Sequence, residues 1–188
     1  MRSDLRVIKT KQALQKALLD VLQTKNLESI SITEICRVAK INRGTFYLHY
    51  GQVEDLFEEY FREIMKDLSD AYEEPYKHVP KLNPRELNPA TIRIFHHIEK
   101  YKNFYRIVFS KNVQMSYYYL LFDQISDLLK RDFHIKMDNT INSGMISAYQ
   151  ANAILGMVIE WYRNDFNQDA AELNQTLVRI LNVNLDGD

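Results

Sequence analysis

All four prolines, Pro75, Pro80, Pro84 and Pro89, fall within one stretch of fifteen residues, and on either side of it apolar residues recur every three or four positions. Proline removes a backbone donor and clashes with the preceding helical turn, so a chain that confines it in this way is free to be helical almost throughout. Only five glycines are present, and the runs between them are rich in Leu, Ile, Glu, Lys and Tyr, a composition that favours helix. An apolar content of 46% over 188 residues is enough to bury a core. The expected fold class is all-α, with residues 75–89 as a loop.

Leu14, Ala17, Leu18, Val21 and Leu22 share one helical face, which predicts a first helix over about residues 5–25, closed by Asn26 as a left-handed terminator. SITE at 31–34 is a capping box, with Ser31 accepting from the Glu34 backbone while the Glu34 carboxylate reaches back. The short helix it starts buries Ile35, Val38 and Ala39 and ends near Lys40, because Ile41-Asn42 supplies an apolar residue and then a new N-cap. The third helix is RGTFYLHY, residues 43–50. Three helices in fifty residues, the last two joined by a short turn, make an N-terminal three-helix domain with a helix-turn-helix over residues 1–52. A long fourth helix from Glu54, carrying Phe57, Tyr60, Phe61, Ile64, Met65 and Leu68, opens a larger helical domain over 53–188. Further helices are expected near 90–100, 102–109, 113–134, 140–164 and 169–183.

The net charge of −1 conceals an asymmetry: residues 1–50 carry nine Lys or Arg against four Asp or Glu, a net of +5, and the remainder carries a net of −6. A basic head on an acidic body is the footprint of a nucleic-acid contact at one end. On a wheel of about 100° per residue, Phe46 and Tyr50 point together into the head. Gly44, Leu48 and Thr45 turn away from it, flanked by Tyr47 and His49. Such a face fits the major groove: Gly44 permits close approach, Thr45 hydrogen-bonds, Leu48 meets a thymine methyl, Arg43 takes a guanine edge or a phosphate, and Tyr47 and His49 reach phosphates.

From about Thr10 to Leu56, SITEICRVAKINRGTFYLHYGQVEDL resembles the DNA-binding domain of the tetracycline-repressor (TetR) family of transcriptional regulators. The resemblance implies that Thr33, Arg43, Gly44, Thr45, Tyr47 and His49 line the operator contact; Leu48 joins them from the wheel, and Ser31 from the capping box beside Thr33. Two positions depart from the family: Val53 stands where Lys often grips a phosphate, and Asn26 where Gly is frequent. Cys36, where the family prefers Ala, reads as a small core residue, with a redox sensor as the alternative. KNFYRIVFS at 102–110 and GMVIEWYRNDF at 156–166 resemble, more loosely, a C-terminal regulatory domain of one branch of the same family.

The body is rich in rings. Phe104, Tyr105, Phe109, Tyr117 and Phe122, with Trp161, are candidates for a pocket that takes an apolar or aromatic effector; a solid core is the competing reading. Residues 153–162 are apolar nearly all round, broken only by Glu160, so that helix must be covered on two sides. Ala153, Gly156 and Met157, with Leu173, Leu177 and Ile180 from the last helix, are the candidate homodimer interface. The expected function is a TetR-like regulator, a repressor released from an inverted-repeat operator on double-stranded DNA by a small molecule. The alternative is a helical interaction protein of the same fold that acts through a protein partner as co-regulator or activator.

No cofactor and no metal are expected. His96 and His97 point about 100° apart on a helix with no third ligand nearby, and the single cysteine cannot join a multi-cysteine zinc site. No nucleophile elbow, phosphate-binding glycine loop or supported Cys–His pair indicates an enzyme. MRSDLRVIKTKQ lacks the apolar run of a signal peptide, and no eighteen apolar residues follow one another, so the expected location is cytoplasmic, with no membrane contact.

Overall fold

A computed structural model describes residues 2–77, 88–132 and 142–183, and among these every regular element is a helix. The helices are α1 (Arg2–Leu22), α2 (Ile32–Ala39), α3 (Arg43–Tyr47), α4 (Val53–Glu73), α5 (Ile94–Lys100), α6 (Lys102–Val108), α7 (Ser116–Asp132), α8 (Ser143–Arg163) and α9 (Ala170–Val183). No described helix is long and apolar enough to cross a membrane. Two compact units are present, residues 1–64 with 103–117, and residues 65–102 with 118–188.

In the first unit α1 packs on α2 and α2 on α3. Leu14, Leu18 and Leu22 of α1, Ile35 of α2, Phe46 of α3, and Leu56 and Phe57 of α4 are fully buried. Ser31 caps α2 as expected, accepting from the Glu34 backbone N–H at 3.2 Å. The return half of the capping box is not made, because the Glu34 carboxylate turns to Lys25 Nζ at 2.8 and 3.0 Å. Lys40 closes α2 in the left-handed region, φ 56°, and its N–H bonds back to Arg37 and Cys36.

Three other expectations are corrected. Asn26 is extended, φ −74° and ψ 147°, and does not terminate α1. The terminator comes from far along the chain: Asn112 Nδ2 donates to Leu22 O at 2.8 Å, and Leu27 N–H donates to Asn112 O at 2.9 Å. The Asn112 side chain thereby satisfies an orphan carbonyl of α1, while its backbone carbonyl pins the segment after it. Val38 is exposed rather than buried. Of the 75–89 loop, residues 78–87 lie outside the described residues, while its ends are 3-10 turns at Glu74–Lys77 and Pro89–Thr91, the second capped by the Asn88 carboxamide on Ala90 N–H at 2.9 Å.

In the second unit α5 packs on α9. Trp161 stands edge-on to Phe95 and Phe166, centroids 6.3 and 5.0 Å away, and its indole N–H donates to Gln168 O at 3.0 Å. Burying this ring therefore leaves its one donor satisfied. His97, 2% exposed, shares a 2.9 Å hydrogen bond with Asp67, whose other oxygen accepts from Lys100 at 2.9 Å, and its ring lies against Tyr101. Burial pushes the imidazole down to about 4 from 6.5 despite Asp67 beside it. The Asp67 carboxyl feels burial too, but hydrogen bonds from Lys100 and His97 outweigh it and hold the group below its usual range. Since the folded state disfavours imidazolium, the unfolded chain binds more protons as pH drops below 6.5, and stability present above that value is lost toward pH 4. Thermal and urea unfolding at pH 7 and pH 5 are expected to show the wild type losing up to about 2 kcal/mol more than His97→Gln. Equal losses in the two proteins would contradict this.

Candidate nucleic-acid interface

The face proposed to read DNA is carried by a short element. α3 spans only Arg43–Tyr47, not the eight residues expected. Leu48 still has right-handed helical angles, and Tyr50 N–H still reaches Phe46 O at 3.0 Å, so the wheel geometry survives for one more turn. Asn42 caps the element through its carboxamide on Gly44 N–H at 2.8 Å. The inward pair is as the period requires, Phe46 fully buried and Tyr50 nearly so, rings tilted with centroids 5.6 Å apart.

On the opposite side Leu48 is 80% and Tyr47 52% exposed, Arg43 and Gly44 are exposed, and Thr45 and His49 are half-buried. A leucine so exposed on a helix this short lacks a role in the subunit's own core. Arg43 leans on the Tyr47 hydroxyl at 3.4 Å, four residues on, which holds two polar ends together on the outer surface. A Cβ placed on Gly44 would meet only the Asn42 Oδ1 at 3.4 Å. The fold therefore has room for a side chain there. Thr33 and Ser31 stand exposed at the start of α2, although the Ser31 oxygen is engaged as the cap.

Tyr50 anchors this element to its neighbours. Its hydroxyl donates to Glu59 of α4 in a short hydrogen bond, and Lys11 of α1 binds the other Glu59 oxygen at 2.7 Å while lying 5.7 Å over the Tyr50 ring. Burial and the bond to Glu59 push the phenol up, so it stays protonated and donating. Gln15 and Glu63 extend the same seam at 2.8 Å. The hydrophobic period could not reveal this seam. Its signal is a run of polar residues, Lys11, Gln15, Glu59 and Glu63, at helical spacing on two helices. Cys36 is buried, and burial pushes its thiol up.

The ring residues named above divide between the units. Phe104, Tyr105, Phe109 and Tyr117 belong to the first, Phe122 and Trp161 to the second. In the first, Phe104 packs on Phe57, Tyr60 and Phe61 with centroids 6.1, 5.5 and 5.7 Å away, and Tyr117 meets Phe57 edge-on at 4.7 Å. Tyr105 is fully buried and stacks on Phe109 at 6.0 Å. On α8, Ala153 and Gly156 are exposed and Met157 is half-buried. Met145 and Tyr149, 71% and 72% exposed, continue that face toward the N-terminus of the helix, beyond the run the apolar pattern singled out. On α9, Ile180 is exposed and Leu177 half-buried, whereas Leu173 is buried within the subunit.

Residues 85–183 match the family TetR_C_8, a transcriptional regulator C-terminal region. An uncharacterised HTH-type transcriptional regulator of Bacillus subtilis, YxbF, is 21% identical over 84% of this chain, which spans 40% of the length of that relative. DhaS of Lactococcus lactis, an HTH-type transcriptional activator of the dhaKLM operon, is 26% identical over 80% of this chain and 78% of its own length. Among solved structures, the fatty acid degradation regulator FadR of Bacillus halodurans has a TM-score of 0.70 at 15% identity, over 95% of each chain. With the family match covering more than half of the sequence, and an all-α fold shared along nearly its whole length, the chain belongs to the TetR-type transcriptional regulators.

Proposed function

We propose that this regulator acts as a cytoplasmic homodimer that reads an inverted-repeat operator through Arg43, Gly44, Thr45, Tyr47, Leu48 and His49, supported by Ser31 and Thr33. The observation that carries the reading is the two-sidedness of 43–50: Phe46 and Tyr50 are locked inward, while Leu48 stands in solvent with no place in the core and Tyr47 stands exposed beside it with its hydroxyl turned to Arg43. Residues 1–52 are then the DNA-binding domain and 53–188 the regulatory and dimerisation domain. Two heads related by a two-fold axis address half-sites about one helical turn, or a multiple of it, apart.

Base and backbone contacts separate by mutation. Tyr47→Ala and His49→Ala are expected to weaken binding to all sequences alike. Thr45→Ala and Arg43→Ala should relax preference at particular base pairs by about 1–3 kcal/mol, and Gly44→Ala should weaken operator binding without loss of stability. Anisotropy titrations on an operator and on its single-base variants measure this. Identical sequence profiles for the two groups would put α3 outside the groove.

As effector we propose an apolar or aromatic small molecule that parts the rings around Phe104 and Tyr117, next to Phe57, Tyr60 and Phe61 of α4; for the second unit, taken by itself, we propose Phe122 and Trp161 as separate ligand-binding residues. Because α4 also carries Glu59, the anchor of Tyr50, a ligand that displaces α4 would disturb the reading head and release DNA, as repression requires. A second reading, activation through a protein partner, is favoured by burial of Val53, where a phosphate-gripping Lys is absent, and by the similarity to DhaS, an activator by name. Pull-down of a defined partner that survives Thr45→Ala and Arg43→Ala, with no operator binding by the wild type, would support it.

A further inference from the structure

Resting on the DNA reading above, we infer that the sugar-phosphate strand flanking the reading helix is held by the first turns of α1, through Arg6 and Lys9, and not by the start of α4. The start of α4 is closed to phosphate on three counts. The Val53 side chain is 3% exposed and apolar. Glu54 and Asp55 place two carboxylates in the first turn. The Asp55 carboxylate already accepts from Gly51 and Gln52 N–H at 2.9 and 3.1 Å, so amides that precede the helix are taken by a group that also repels an anion.

The cations of the head sort in the opposite sense. Lys11 and Lys25 are neutralised by Glu59 and Glu34. Arg6 and Lys9 are exposed and form no ion pair among the described residues. They rim an open hollow of about 480 Å³ whose apolar floor is Leu5, Ala13 and Ile41, with Thr10 beside them. Ile41 stands two residues before Arg43, so the hollow opens beside the start of the element that would enter the groove. A floor of methyl groups with two unpaired cations and a hydroxyl at its edge complements a deoxyribose face and its two flanking phosphates. The apolar floor holds no donor or acceptor to meet a base edge, which leaves the rim cations to the backbone phosphates.

Each phosphate neutralised adds about 0.9 to the slope of log affinity against log salt, so the assignment has a direct readout. On an operator selected from random DNA, the double variant Arg6→Ala, Lys9→Ala is expected to bind with a slope shallower by about two and an unchanged sequence profile. Lys16→Ala, two turns further along the same face of α1, should keep the wild-type slope, and Arg6→Lys with Lys9→Arg should restore it. A wild-type slope in the double variant, or an equal loss in Lys16→Ala, would overturn the inference while leaving the DNA reading intact. A wild type that selects no DNA would overturn both, and the two failures are thus distinct.

Discussion

Replacing Gly156 with Arg is expected to leave the subunit folded, split the dimer, and lower operator affinity by about a hundredfold or more. A Cβ at Gly156 would meet nothing within 4 Å, so the subunit loses no packing. Removing a glycine from the interior of α8 should even favour that helix by about 1 kcal/mol. Gly156 lies in the exposed face that runs from Met145 through Tyr149 and Ala153, with Ile180 exposed on α9. An apolar strip of this kind marks an association surface, and a guanidinium introduced twice across a two-fold axis would place like charges against each other. Two tethered heads gain about 10²–10⁴ in avidity over one, and that gain is what a monomer forfeits. Light scattering should give twice the subunit mass for the wild type and the subunit mass for Gly156→Arg, with the helical circular dichroism of the subunit retained. A variant that stays dimeric would remove this face from the interface and leave the apolar strip unexplained.

Phe104→Ala should cost about 3–5 kcal/mol of folding stability, the range for deleting a buried aromatic ring. Phe104 is almost fully buried among Phe57, Tyr60, Phe61 and Tyr105, so its removal opens a void with rings on several sides. Aromatic pairs in this geometry contribute beyond their buried area, which places the expectation toward the upper end. The variant also tests the effector proposal. If the ring cluster is where an apolar ligand enters, a small aromatic compound should recover part of the lost stability in urea titrations and change the operator affinity at the same time. Recovery of stability with no change in DNA binding would identify the cluster as core alone.

What the chain reveals about itself depends on whether a feature is local. The cap at Ser31, the end of α2 near Lys40, the cap at Asn42 and the inward pairing of Phe46 with Tyr50 are all decided within four residues, and each was readable from spacing, although the left-handed angles of Lys40 were not. The long helices were readable for the same reason, since their apolar period repeats over several turns. Features settled by partners distant in sequence were not. The end of α1 is held by Asn112, ninety residues away, so Asn26 had no terminator's work left to do. The Glu34 carboxylate follows Lys25 instead of its own cap. In the candidate site the outward residues were visible on the wheel. The Lys11–Tyr50–Glu59 seam that fixes their orientation was not, because polar residues at helical spacing look the same in solvent as in a buried network.

Residues 43–50 are proposed to read DNA as a symmetric pair. The most direct measurement is hydroxyl-radical footprinting of the purified protein on sequences enriched from a random DNA pool, repeated with Arg43→Ala and Thr45→Ala. The expected result is an inverted repeat with two protected patches, about one helical turn or a multiple of it apart and symmetric about the dyad, and weakening of both patches together in each variant. Enrichment of no common sequence, a single unsymmetrical patch, or protection that is unchanged in both variants would contradict it.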